Sequence, residues 1–232
     1  MKDVFGTAIL DYQLGDYSEN LVTSTSISEA DSLPLPYLFR SYSEMPSLEQ
    51  TALKLSNGTV LDIGCGAGSH SLYLKSKGLD VKSIDISAGA IEACRLRGLD
   101  KAYVLDIMEE TDSFDTMLLL MNGSGIFQSL YHTPYVLRHL KTLLNPGGQI
   151  LIDSSDIKYM YEDDDGGYWI DTTKDYYGEL DYSVRYKKQE ATFRWMYLDF
   201  ENLKIACKQA GFLCKLIEEG PHFDYLAKIT MA

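Results

Sequence analysis

Three glycines, Gly64, Gly66 and Gly68, stand at alternate positions directly behind the apolar run Val60–Ile63, and an aspartate, Asp62, interrupts that run. Glycine at such a turn tolerates positive φ and lets a ligand approach the backbone without meeting a Cβ, so the spacing points to a nucleotide site. The dinucleotide pattern GxGxxG would need glycine at position 69 or 71, where the chain has Ser69 and Ser71. Asp62 would also set a carboxylate against a pyrophosphate, whereas a ligand with an ammonium group there would welcome it. Asp85, 17 residues beyond Gly68, can accept hydrogen bonds from both hydroxyls of a ribose, and Asp106, 21 residues further, can accept one from an adenine amino group.

These residues need elements to hold them. "TVLDIG", "DVKSIDI", "KAYVLDI", the almost wholly apolar "FDTMLLLMNG" and "GGQILIDSS" read as five strands. Between them come a helix over "SHSLYLKSKG", one capped by Ser87 and stopped at Gly98, and one with Thr133 as cap and Pro134 in its first turn. This rhythm predicts a doubly wound α/β sheet whose ligand sits at the carboxyl ends of the strands. Upstream, "SLEQTALKLSNG" predicts a helix with Ser47 as N-cap and Gln50 at the capping-box position, whereas Met1 to Pro46 reads as irregular. Past Ser155, "GELDYSVRYKK" alternates as a half-buried antiparallel strand, and "TFRWMYL" is its expected partner. A helix from Asp199 to Gly211 follows, then two strands that the short Gly220-Pro221 turn requires to be antiparallel.

Taken together, these motifs resemble those of the class I S-adenosylmethionine-dependent methyltransferases. The likeness lies in Asp62 to Gly68 as the glycine motif, Asp85-Ile86, Asp106-Ile107, the strand from Phe114 to Asn122, and "LLNPGGQILID". It covers residues 59–155 well and the antiparallel end more loosely. It implies an α/β, Rossmann-like seven-stranded fold, mostly parallel with an antiparallel last strand, here with a small β-hairpin insertion at about 156–198. Residues 47–232 would form the methyltransferase domain and 1–46 an N-terminal lid. By the resemblance, Asp62 and the backbone of Gly64, Cys65, Gly66 and Gly68 would hold the methionine part of S-adenosylmethionine. Asp85 would hold the ribose, Ile86 and Ile107 would sandwich the adenine, and Asp106 would bind its amino group.

The acceptor is less defined. Family members that methylate nucleic-acid amino groups carry an Asn or Asp followed by two prolines and an aromatic after the fourth strand; here the residues are Asn122-Gly123-Ser124-Gly125. Asn122 could contact the methionine moiety or orient an acceptor, and His132 could be a general base. Arg40, between Tyr37 and Tyr42, could clamp the methionine carboxylate, although a surface ion pair explains it equally well. His70 reads as a surface residue and His222 as a weak candidate. "EDDDGG", Glu162 to Gly167, lacks the alternate acids of a calcium loop and reads as a solvated turn, so no metal is expected. The aromatics from Tyr159 to Tyr197 could form an acceptor pocket, a cap or a dimer face, with sheet packing the plainest reading.

Composition limits the partners. The chain has 232 residues, 45% of them hydrophobic and 24% charged, with net charge −13 and no basic run longer than Lys187-Lys188, which disfavours nucleic acid and anionic membranes. The four cysteines show no metal-like spacing, and neither a signal peptide nor a membrane span is visible, so a cytoplasmic setting is expected. The expected activity is methyl transfer to a small molecule. A non-catalytic S-adenosylmethionine-binding or scaffold protein and an NAD-dependent oxidoreductase remain alternatives, and monomer and homodimer are both open.

Overall fold

The computed structural model describes residues 2–163, 165–170, 173 and 175–232. Its helices are α1 (Val4–Leu14), α2 (Leu35–Leu38), α3 (Ser47–Leu55), α4 (Ser69–Ser76), α5 (Ala88–Leu96), α6 (Thr133–Thr142) and α7 (Phe200–Ala210). Its strands are β1 (Leu21–Thr25), β2 (Ser28–Leu33), β3 (Thr59–Ile63), β4 (Asp80–Asp85), β5 (Ala102–Val104), β6 (Phe114–Leu119), β7 (Leu144–Ser155), β8 (Glu179–Tyr186), β9 (Gln189–Met196), β10 (Phe212–Glu219) and β11 (Asp224–Met231).

Seven strands form one sheet in the order β10-β11-β7-β6-β3-β4-β5. β3 to β7 pair in parallel, and β11 lies antiparallel to both β7 and β10, as the short final turn requires. Successive side chains of a strand face opposite ways, and the core divides accordingly. Leu61, Met117, Ile150 and Ile152 pack under α6 and α7, whereas Val60, Leu118, Leu151 and Leu226 pack under α3 and α4. With both faces covered, β6 must be apolar almost throughout. The chain reverses its direction of travel between β3 and β6, so their adjacent carboxyl ends open the crevice in which this kind of sheet binds ligands.

The N-terminal stretch departs from expectation. The described part of the stretch expected to be irregular, residues 2–46, is not: α1 is capped by Asp3, whose side chain accepts from the Gly6 N–H, and ends on Gly15 in the left-handed conformation. β1 then pairs with β8, so the expected hairpin is half of a four-stranded antiparallel sheet, β2-β1-β8-β9. β2, with sequence SEADSL, is largely exposed and has no apolar pattern to announce it. Two caps move by one residue. Pro46 rather than Ser47 is the N-cap of α3, and Gln50 reaches back to donate to the Met45 carbonyl at 2.8 Å. His132 rather than Thr133 is the N-cap of α6, because the Thr133 hydroxyl donates to the Ser129 carbonyl at 2.9 Å. Ser87 and Asp199 cap α5 and α7 as expected.

Candidate functional site

Asp62 and Asp85 lie on neighbouring strand ends, because Ile63 pairs with Ile84. The intervening loop turns through Gly64, Gly66 and Gly68 at φ of 70°, 53° and 78°, values that L side chains avoid. Asp85 is built into that loop: the Gly66 N–H donates to its Oδ2 at 2.9 Å and the Ser87 N–H to its Oδ1 at 2.9 Å. Each oxygen retains a lone pair for a further donor. Burial pushes its carboxyl above the usual aspartate range despite those two bonds. Beneath the loop, the Cys94 thiol donates to the Gly66 carbonyl at 3.2 Å, and Cys65 lies 3.9 Å from it, sulfur to sulfur.

Asp62 is 2% exposed and accepts from the Ser71 hydroxyl at 2.6 Å. It belongs to a buried charged network. Glu49 of α3 accepts from the Arg40 guanidinium and lies 2.8 Å from His70 Nε2, and the Arg40 guanidinium also stacks on the Tyr37 ring at 4.0 Å. Burial opposes charge on both Glu49 and His70. The hydrogen bond between them, with Arg40 beside Glu49 and Asp62 beside His70, overcomes it, holding Glu49 below its ordinary range and His70 above. His70 is therefore not a surface residue, since α4 turns it inward against α3. Arg40 is an internal counterion rather than a surface pair.

The end of β6 is equally constrained. Met121 and Asn122 both adopt left-handed backbone, φ 64° and 60°, and Asp153 of β7 accepts from the N–H groups of Met121 and Gly123 at 3.1 Å each. The Asn122 side chain is committed: Nδ2 donates to the Met196 carbonyl at 3.1 Å, and Oδ1 accepts from the Ser154 hydroxyl at 3.1 Å. His132 donates from Nδ1 to the Phe127 carbonyl at 3.3 Å, which leaves Nε2 its lone pair. Asp106 is exposed and caps a short 3-10 turn through the Met108 N–H at 2.9 Å. Ile86 is 67% exposed, whereas Ile107 is 6% exposed and packs in the main core. Sequence reasoning missed Asp153, Glu49 and the burial of His70. Asp153 alone carried a signal, as a carboxylate near the end of a strand.

In the acidic loop Glu162 to Gly167, Asp164 lies outside the described residues, and Asp163 accepts from the Asp165 and Gly167 N–H groups as a local turn. No His, Cys, Asp or Glu cluster suited to a metal occurs among the described residues. No helix among them is long and apolar enough to cross a membrane.

A mostly parallel sheet whose last strand in the chain, β11, runs antiparallel between β10 and β7, with carboxylates at neighbouring strand ends around a glycine loop, defines a Rossmann-like methyltransferase architecture. A family profile described as a methyltransferase domain matches residues 54–194, and the chain belongs to that family. An S-adenosylmethionine-dependent methyltransferase from Bacteroides fragilis, solved in complex with S-adenosyl-L-homocysteine, is 42% identical and superposes with a TM-score of 0.93 over 100% of this chain and 95% of that one. Among curated proteins, the ubiquinone biosynthesis O-methyltransferase of Xanthomonas oryzae pv. oryzae (strain PXO99A) is 29% identical over 114 residues, 44% of this chain and 45% of that protein. Its counterpart from Paraburkholderia xenovorans (strain LB400) is 30% identical over 112 residues, 43% of this chain and 45% of that protein. The chain thus matches less than half the length of these curated relatives. S-adenosylmethionine is the family's methyl donor, and the free lone pairs of Asp85, the bare loop backbone and the open face of Ile86 fit it.

Proposed function

We propose that this chain transfers a methyl group from S-adenosylmethionine to a small-molecule acceptor and releases S-adenosylhomocysteine. The observation that carries the reading is Asp62 and Asp85 at the ends of neighbouring strands, with Asp106 just beyond the end of β5, around a loop whose Gly64, Gly66 and Gly68 all adopt positive φ. The donor's sulfonium supplies an activated methyl, and the chain's task is alignment and exclusion of water. Asp62 accepts from the methionine ammonium, the backbone of Gly64, Cys65, Gly66 and Gly68 lies along the methionine, and Asp85 takes the two ribose hydroxyls. Asp106 accepts from the adenine amino group, Ile86 covers one face of the ring, and Ile107 supports the floor from the core. Arg40 acts on the methionine end indirectly, by holding Glu49 and Tyr37. Asn122 fixes the β6 elbow against β9 rather than contacting the acceptor. His132 Nε2 is the base for an acceptor proton. Residues 47–232 carry the methyltransferase domain, and α1 to α2, within residues 1–46, cover its mouth. A cytoplasmic setting suits the free thiols, and either a monomer or a homodimer suits the site.

Isothermal titration with S-adenosylhomocysteine tests the reading. Micromolar binding is expected, and Asp85→Ala should weaken it by about 1–3 kcal/mol through the lost ribose bonds. A folded protein that binds neither adenosyl ligand overturns the proposal, and binding without methyl release to any acceptor would favour the non-catalytic alternative.

A further inference from the structure

Behind the glycine loop, Asp62 shares its surroundings with a second titratable group. His70 and Ser71 are neighbours in the first turn of α4. The Ser71 hydroxyl donates to Asp62 and itself accepts from the Ser83 hydroxyl at 2.7 Å, while the His70 ring turns to Glu49 of α3. Arg40, Glu49, Asp62 and His70 are all buried. The loop in front of them is open, since a Cβ on Gly66 would meet no atom within 4 Å.

Charge on His70 depends on a balance among these groups. Burial is the largest influence and opposes it, and Arg40 opposes it as well; the hydrogen bond to Glu49, then the charges of Asp62 and Glu49, outweigh both. Arg40 is pinned, with Nη1 donating to the Tyr37 carbonyl at 2.6 Å and Nη2 to Glu49. Two further groups face the cluster: Asp153 of β7, which His70 helps to ionise, and Tyr37, which feels Arg40, Glu49 and Asp153. Asp85 faces Asp62 from the neighbouring strand. Asp62 is thus one of two carboxylates that keep a buried imidazolium charged, and the one that stands at the ligand end of β3.

We propose that His70 is a positioning residue for the methyl donor: its imidazolium holds Asp62 ionised in the free protein and gives up a proton when the donor's ammonium docks at Asp62. This rests on the methyl-transfer reading above and adds a proton linkage to it. Two cations then compete for one buried carboxylate, and an imidazolium releases its proton more readily than an aliphatic ammonium. Glu49 only accepts, so the ring keeps Nε2–H toward it and loses the proton on Nδ1, whose electron pair stays on nitrogen while the proton passes to solvent. Donor affinity accordingly rises with pH until His70 is neutral in the free protein.

Calorimetric titration with S-adenosylhomocysteine in phosphate, HEPES and Tris tests this, because the dependence of the observed enthalpy on the buffer's ionisation enthalpy counts the protons exchanged. At about pH 7, release of about 0.3–1 proton per ligand is expected. Methylthioadenosine, which has the nucleoside but no ammonium, should release none. His70→Gln keeps a donor for Glu49 but does not titrate, so it should abolish the release, whereas Asp153→Asn should retain it. No release with S-adenosylhomocysteine, equal release with methylthioadenosine, release that survives His70→Gln, or release that vanishes in Asp153→Asn overturns the proposal. The comparison of the two ligands uses the natural chain, so it decides the matter even where the glutamine variant fails to fold. Failure of S-adenosylhomocysteine itself to bind overturns the methyl-transfer reading, and this proposal with it.

Discussion

Asp153 holds two consecutive non-glycine residues, Met121 and Asn122, in left-handed backbone by accepting from the amides that flank Asn122. Such a conformation costs about 1–2 kcal/mol per residue, so the elbow depends on that carboxylate. Burial pushes the Asp153 carboxyl up to about 6, Glu49 adds to the rise, and the two amides and His70 oppose it. Because the folded value lies above that of a free aspartate, the stability contributed by this group is greatest at low pH and is lost as pH rises from about 4 to about 6. Activity runs the other way, since only the ionised form offers two clear acceptors to the elbow. We expect kcat/KM to fall as pH is lowered through about 6. Asp153→Asn should remove that inflection and lower kcat about tenfold, because its amide must turn a donor toward one N–H. A pH-rate profile of the two proteins checks both points. At this scale, the strand-end positions of Asp62 and Asp85 beside the glycine loop were legible because strand ends and a glycine loop impose their spacing on the chain. Glu49 and His70 were not, since their pairing arises only when α3 and α4 pack on the same face of the sheet.

At the scale of elements, Asp3 serves two helices. It caps α1 through the Gly6 N–H at 2.9 Å and accepts from the Ser87 hydroxyl and the Gly89 N–H at the start of α5, each at 3.0 Å. The N-terminal helix is thereby tied to the element that follows Asp85, and the Asp3 charge adds to the burial that raises Asp85. Asp3→Ala should destabilise the chain by about 1–2 kcal/mol in urea unfolding, the cost of a lost cap, and speed amide exchange in α1 more than in α6. Equal exchange in the two helices would contradict the double role. The five parallel strands and their helices were readable from period and punctuation. β1 and β2 were not: such short strands have no apolar pattern of their own, and β1 forms on the edge that β8 offers while β2 forms on β1. The shifted caps at Pro46 and His132 show the same limit, because a serine or threonine near a helix start does not settle which residue makes the turn.

For the whole molecule, the architecture is a sheet of seven strands and a second sheet of four, the second assembled from both sides of the first along the chain. Deleting residues 2–34 would strip β8 of one of its two strand partners and uncover Val184 and Tyr186, which are each 1% exposed. The expected outcome in hydrogen exchange is loss of protection across β8 and β9 with β3, β4, β6 and β7 still protected. Uniform loss would mean that the two sheets unfold as one unit. The pairing of Val22 with Arg185 also has a consequence in time. During synthesis at about 5–20 residues per second, β1 emerges roughly 10–30 s before β8 exists to receive it. Five strands of the seven-stranded sheet, β3 to β7, are made within that interval, and β11 is made last of all. A nascent chain therefore carries β1 with β2 as its one strand partner until β8 is made, and the four-stranded sheet closes only after β3 to β7 have been made.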